Sequence, residues 1–169
     1  MSISMYAASV PLFQQMLGGL SNFLTKAEAH AAAKTFAPDV LLQNRLFPDM
    51  FNLTRQVQIA CDFAKGTCQR LAGQEVTPIA DTEVTFADLQ TRIAKTLELI
   101  AAAPAASING SEDRVIVTSP GTARERTFNG QAYLLTYAIP HFFFHTTTAY
   151  NILRHNGVEI GKKDFIGAN

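Results

Sequence analysis

Thr136-Tyr137-Ala138-Ile139-Pro140-His141-Phe142-Phe143-Phe144-His145 is the stretch on which the reading of this chain turns. It is the most apolar segment of the sequence. His141 and His145 stand one helical turn apart, so on a helix both imidazoles leave the same face. At that spacing one helix can offer two ligands to one metal ion. In so apolar a segment each imidazole also needs a polar partner.

Outward from this segment, Asn129 is a good N-cap and Asn156-Gly157 a good stop, so the spacing predicts a fourth helix from Asn129 to His155. A helical wheel puts Leu134, Tyr137, Ala138, His141, His145, Thr148, Ala149 and Ile152 on the inner side. Thr147, Asn151 and Arg154 mark the solvent side. Phe143 and Tyr150 point away from the histidines, and an outward aromatic pair suggests a second buried surface. It is either a homodimer contact or an area covered by the hairpin or the tail. Pro140 removes a backbone donor and crowds the Thr136 carbonyl. A bend there either opens space beside the histidines or serves packing alone.

Three further helices precede it. The first is expected from Met5 to Ala33, with Tyr6, Val10, Phe13, Leu17, Leu20, Leu24 and Ala27 on one face. Pro11 marks a bend or a later start. Gly18-Gly19 marks a close helix crossing or a kink. Phe36 to Met50 is a connection with short helical turns. The second helix is expected from Phe51 to Ala72, with Leu53, Val57, Ala60, Cys61, Ala64, Cys68 and Leu71 inward. Its stripe of Gln58, Asp62, Lys65 and Gln69 reads as solvated, and Gly73 caps its end. After a loop from Gln74 to Val84, Thr85 and Asp88 form a capping box for the third helix, which Pro104 stops after Ala103. Arg114 to Thr118 and Ala123 to Phe128 pair as a small hairpin about the turn Ser119-Pro120-Gly121-Thr122. The tail from Val158 to Asn169 reads as an irregular surface arm. The fold class is all-α: a four-helix bundle with a β-hairpin between the third and fourth helices.

Length and composition suit that reading. The 169 residues fit one domain, 1–169, with a sizeable core. Hydrophobic residues make up 47% and charged residues 17%. Lys+Arg and Asp+Glu are both 14, so the net charge is zero, which argues against a nucleic-acid partner. No run reaches the roughly 18 apolar residues of a membrane span. The N-terminal residues lack a signal-type pattern, and a cytoplasmic location is expected. On one helix Cys61 and Cys68 stand about 10 Å apart along the axis. That is beyond disulfide reach, and both are expected reduced in the core.

The histidine pair admits two interpretations. One is a divalent metal, Zn, Ni or Fe, held by His141 and His145 with a third ligand from elsewhere. Gln56, on the edge of the second helix beside Ala60 and Phe63, is one candidate; Asp62 and His30 are others. His155 lies at the helix end and suits its carbonyls instead. The other is a pair of buried neutral imidazoles bonded to Tyr137, Thr148 or a backbone carbonyl, with Gln56, Tyr137 and Thr148 lining a pocket.

The helix plan, the hairpin and the inward His-x-x-x-His resemble the DinB-like superfamily. The strings Arg45-Leu46-Phe47-Pro48-Asp49-Met50-Phe51, Gln56-Val57-Gln58-Ile59-Ala60, Arg70-Leu71-Ala72-Gly73 and Ile152 to Gly161 are similar to an uncharacterised branch of it. The resemblance covers essentially the whole chain. It implies a four-helix bundle, often dimeric, with a metal in the bundle centre of many members. It further implies two metal ligands at His141 and His145 and a third on the second helix. The matching position here is Gln56, a poor ligand beside imidazole. Metal-dependent thiol transferases among such proteins imply a thiol cofactor and an electrophile. The expectation is a homodimeric bundle with a small-molecule pocket and a weak or degenerate metal site. The alternative is a metal-dependent enzyme of the thiol-transferase kind.

Overall fold

The computed structural model describes residues 3–167. Four long helical segments form a ring in the order α1 (Val10–Ala33), α4 (Phe86–Ala101), α3 (Leu53–Leu71) and α7 (Ile139–His155). The apolar faces read from the sequence meet at the centre. Phe13, Leu17, Leu20 and Leu24 of α1 are fully buried, as are Val57, Ala60, Cys61, Ala64 and Cys68 of α3. The Phe13 and Phe142 rings meet edge to face at 4.8 Å and tie α1 to α7. Both cysteines are free and buried.

The second long helix starts at Leu53 rather than Phe51, where the Asn52 side chain accepts from the Arg55 N–H at 3.0 Å. Other local signals act where they were read. Gly73, at φ +71°, ends α3, with Gln74 N–H returning to the Gln69 carbonyl at 2.8 Å. Thr85 and Asp88 close a capping box on α4. Short helices α2 (Asp39–Gln43) and α5 (Ala105–Ile108) fill the connections. Strands β1 (Val115–Thr118) and β2 (Arg126–Asn129) pair antiparallel. Asn129 then caps α6 (Gly130–Ala132), accepting from Ala132 N–H at 2.9 Å.

Several expectations are corrected. α1 starts at Val10, not Met5, because Pro11 belongs in a first helical turn, where its missing N–H has no partner to lose. The polar stripe of α3 is covered. Gln58, Lys65 and Gln69 are all buried, and the loop from Gln74 to Val84 lies on Gln58 and Gln69. Gln69 brackets Thr77, accepting from its N–H at 3.0 Å and donating to its hydroxyl at 2.9 Å. Gln58 donates to Glu83 at 2.7 Å. The stripe therefore supplies the partners of a loop laid along the helix.

The tail is not irregular. It forms α8 (Lys162–Ile166), which lies on α1; residues 168–169 lie outside the described residues. Gly19 meets this segment rather than a bundle helix. A Cβ there would stand 2.6 Å from the Phe165 carbonyl oxygen, whereas at Gly18 nothing lies within 4 Å. Phe143 and Tyr150 are not outward surface. Both pack against the core, and Tyr150 sits between Phe23 at 6.0 Å and Phe165 at 5.6 Å. Of the two aromatics that suggested a second buried surface, Tyr150 is flanked by the chain's own α1 and tail, and Phe143 packs partly buried on the core beside Phe142. Among the described residues, no helix is long and apolar enough to cross a membrane.

Candidate functional site

The fourth helical segment is not uniform. Between α6 and α7 the chain runs as a six-residue π-helix, Tyr133–Ala138. The Ile139 N–H reaches back five residues to the Leu134 carbonyl. The wider turn absorbs the irregularity expected at Pro140, whose ring and missing N–H disfavour a regular α-turn before it. Tyr133, Tyr137 and His141 then stack in a column, with centroids 5.9 Å and 4.3 Å apart. Phe63 of α3 lies beside the column, 4.8 Å from His141 and 6.1 Å from His145.

His145 is buried at 8% exposure, and His141 sits half-buried at the rim. The His145 Nδ1 lies 2.7 Å from the Gln56 Oε1. The amide nitrogen of Gln56 is held at 3.1 Å on the Phe51 carbonyl, so its oxygen faces the imidazole. An amide oxygen only accepts, so His145 Nδ1 carries a proton. The His141 Nδ1 lies 2.8 Å from the Tyr137 carbonyl oxygen and is a donor for the same reason. In the neutral form of either ring, Nε2 is then the nitrogen left to accept. Burial, then the neighbouring His141 and Arg55, push the His145 pKa down to about 4, so this ring is neutral at pH 7.

The donor set does not complete the implied metal site. Gln56, at the third-ligand position, stands behind His145 as its hydrogen-bond partner. Asp62 is drawn into ion pairs with Lys65 and Arg92. His30 packs on Phe36, 6.0 Å away at the end of α1, and His155 is exposed in the last turn of α7. Among the described residues no group of three or more His, Cys, Asp or Glu is placed to hold a metal ion. Thr148 is buried with its hydroxyl on the Phe144 carbonyl at 2.7 Å.

Open cavities do flank the pair. One, of about 370 Å³, is walled by Pro140, His141, Phe144 and His145. A second, of about 730 Å³, lies between the hairpin and the π-helix and is lined by Tyr137 and His141 together with Ser119, Arg124 and Arg126. A third, of about 180 Å³, shares Ser119 and Tyr137 with the second and adds Asp62, Phe63, Arg70 and Tyr133. Tyr137 and His141 thus stand where the cavities join. The hairpin wall was missed in the sequence, where the hairpin read only as a packing unit. Arg-Glu-Arg at 124–126 was its one visible signal.

A second polar centre was also missed. The Arg92 side chain, completely buried, donates to Asp62 at 3.0 Å and Glu83 at 2.9 Å, and pairs with Asp81 at 3.1 Å. It pins the loop after α3 to the bundle. Cys61 lies in the same region, its thiol pKa raised to about 12 by burial, which leaves it unreactive.

The comparisons with known proteins agree with this architecture. A family model described as a domain of unknown function, DUF1993, matches residues 5–166. A crystal structure of a DinB family member protein from Shewanella denitrificans is 43% identical, with a TM-score of 0.89. The match covers 97% of this chain and 92% of that one. No curated protein matches. With its bundle order, its hairpin and its histidine helix, the chain belongs to the DUF1993 family and is a DinB-like four-helix bundle.

Proposed function

We propose that this protein binds a small molecule in the open cavities around Tyr137, His141 and His145, with the histidines acting as neutral imidazoles. The observation that carries this reading is the 2.7 Å hydrogen bond between Gln56 and His145. Both ends of the Gln56 amide are engaged, one on His145 and one on Phe51. Turning it toward a metal would break two hydrogen bonds at a buried residue. The residues available therefore fit a two-histidine remnant better than a three-ligand catalytic site.

A second reading, a metal-dependent enzyme of the thiol-transferase kind using His141 and His145, draws on one specific feature. Each imidazole donates from Nδ1 and keeps Nε2 free, which is the tautomer that metal-bound histidines commonly use. One experiment separates the two. The protein is purified without a histidine tag, its metal content is measured, and Zn, Ni, Fe and Mn are titrated into wild type and His145→Ala. The proposed reading expects substoichiometric metal in both and no thermal shift with any ion. One bound metal in wild type, lost in His145→Ala, favours the enzyme reading.

A homodimer in the cytoplasm belongs to the same proposal. The two buried free thiols suit a reducing compartment. With Phe143 and Tyr150 packed on the chain's own core, a dimer would use other exposed apolar side chains such as Phe47, Phe51 or Leu135. A monomer by light scattering on concentrated protein removes it.

A further inference from the structure

Arg124 and Arg126 differ from every other arginine in the chain. Arg45, Arg55, Arg70, Arg92, Arg114 and Arg154 each place the guanidinium on a carbonyl, a carboxylate or a hydroxyl. Among the described residues, the guanidiniums of Arg124 and Arg126 have no hydrogen bond and no ion pair. Both line the cavity of about 730 Å³ opposite Tyr137 and His141. The one acid on that wall, Glu125, has its carboxylate bound to the Gly121 N–H at 2.6 Å. A protein of zero net charge therefore keeps two free cations on one side of an open cavity.

The adjoining cavity has the opposite character. Pro140, Phe144 and the two imidazoles line it, and His141 belongs to both. The polar and apolar compartments thus meet at one ring. Two costly backbone conformations border the polar compartment: Ser119 at φ +49°, in the left-handed region, and the π-helix that carries Tyr137. From this geometry we infer that the ligand is a small amphipathic organic anion. Its carboxylate or phosphate head is held by Arg124 and Arg126, and its apolar body runs past His141 onto Pro140 and Phe144. Guanidiniums suit this role because a planar fork of donors matches both oxyanions. The Tyr137 phenol beside them can donate to the same head.

The inference rests on the pocket reading above, and its test keeps the two separable. Octanoate, octyl phosphate and neutral 1-octanol are titrated at low salt into wild type and into the Arg124→Gln/Arg126→Gln double variant. Affinity is read by calorimetry, and contact with the pocket by the imidazole NMR signals of His141 and His145. Both substitutions are on exposed hairpin residues, so the bundle should stay folded. The expected result is that at least one anion binds about tenfold or more tighter than octanol in wild type. The double variant should lose that preference and leave octanol binding unchanged. Octanol moving the imidazole signals while neither anion binds more tightly overturns the anion assignment and leaves the pocket reading standing. An anion preference that survives in the double variant overturns the assignment to Arg124 and Arg126. Imidazole signals unmoved by all three probes overturn both readings.

Discussion

The side-chain oxygen of Gln56 lies 2.7 Å from Nδ1 of His145, across the contact between α3 and α7. This pair sets the tautomer of His145 and removes Gln56 from the set of metal ligands. Gln56→Leu should leave the buried Nδ1–H without an acceptor and cost about 1–3 kcal/mol, read by chemical denaturation. Gln56→Glu keeps an acceptor and adds an opposing charge. Its expected signature is a His145 pKa raised well above the wild-type value, read by NMR titration.

Stability should depend on pH through the same imidazole. His145 titrates at about 4 in the folded protein, against 6.5 for the free side chain, because burial disfavours its charged form. Above about pH 6.5 neither state holds the proton and this group contributes no slope. As pH falls from about 6.5 to about 4, the unfolded chain takes up a proton that the folded chain does not. Stability should fall across that window by an amount on the order of 3 kcal/mol. Urea unfolding at several pH values checks it, with His145→Gln as the control that lacks this component. An equal slope in both proteins would exclude His145 as its source.

Arg92→Met should be among the most damaging single changes. It removes the one cation paired with Glu83, itself only 7% exposed in its side chain, leaving that carboxylate the neutral Gln58 amide, and it removes pairs to Asp62 and Asp81. Breaking buried pairs on one side typically costs about 3–5 kcal/mol. The loop from Gln74 to Val84 should lose amide protection before the helices do, which hydrogen exchange would resolve.

Adjacent glycines should respond in opposite directions. Gly19→Ala puts a methyl 2.6 Å from the Phe165 carbonyl oxygen and must displace α8, straining the Lys26–Asp164 ion pair of 2.6 Å. A destabilisation of about 1–3 kcal/mol is expected. Gly18→Ala meets nothing within 4 Å and gains helix propensity of up to about 1 kcal/mol. Thermal melts of the two variants should shift to opposite sides of wild type; a shared direction would show that α8 does not seat on Gly19 in solution.

What the sequence by itself determined was local and periodic. The faces of the four helices, the Thr85–Asp88 capping box, the Asn129 cap, the Gly73 stop and the hairpin follow from side chains acting on backbone three or four residues away, or from repeats of 3.6 and 2. The same rules placed His141 and His145 on one face and put Thr147, Asn151 and Arg154 in solvent, as found. Tertiary structure decided what each remaining surface touches. Gln58, Lys65 and Gln69 have the spacing of a solvated stripe whether water or a loop lies over them. Only the path of residues 74–84 and the buried Arg92 select the loop. Tyr150 points outward on an isolated helix and becomes half-buried because Phe23 of α1 and Phe165 of the tail pack there. The Gln56–His145 bond joins residues 89 positions apart, and no local pattern encodes it. Periodicity specifies a direction from the helix axis, and the partner in that direction is supplied by chain packed from far away in the sequence.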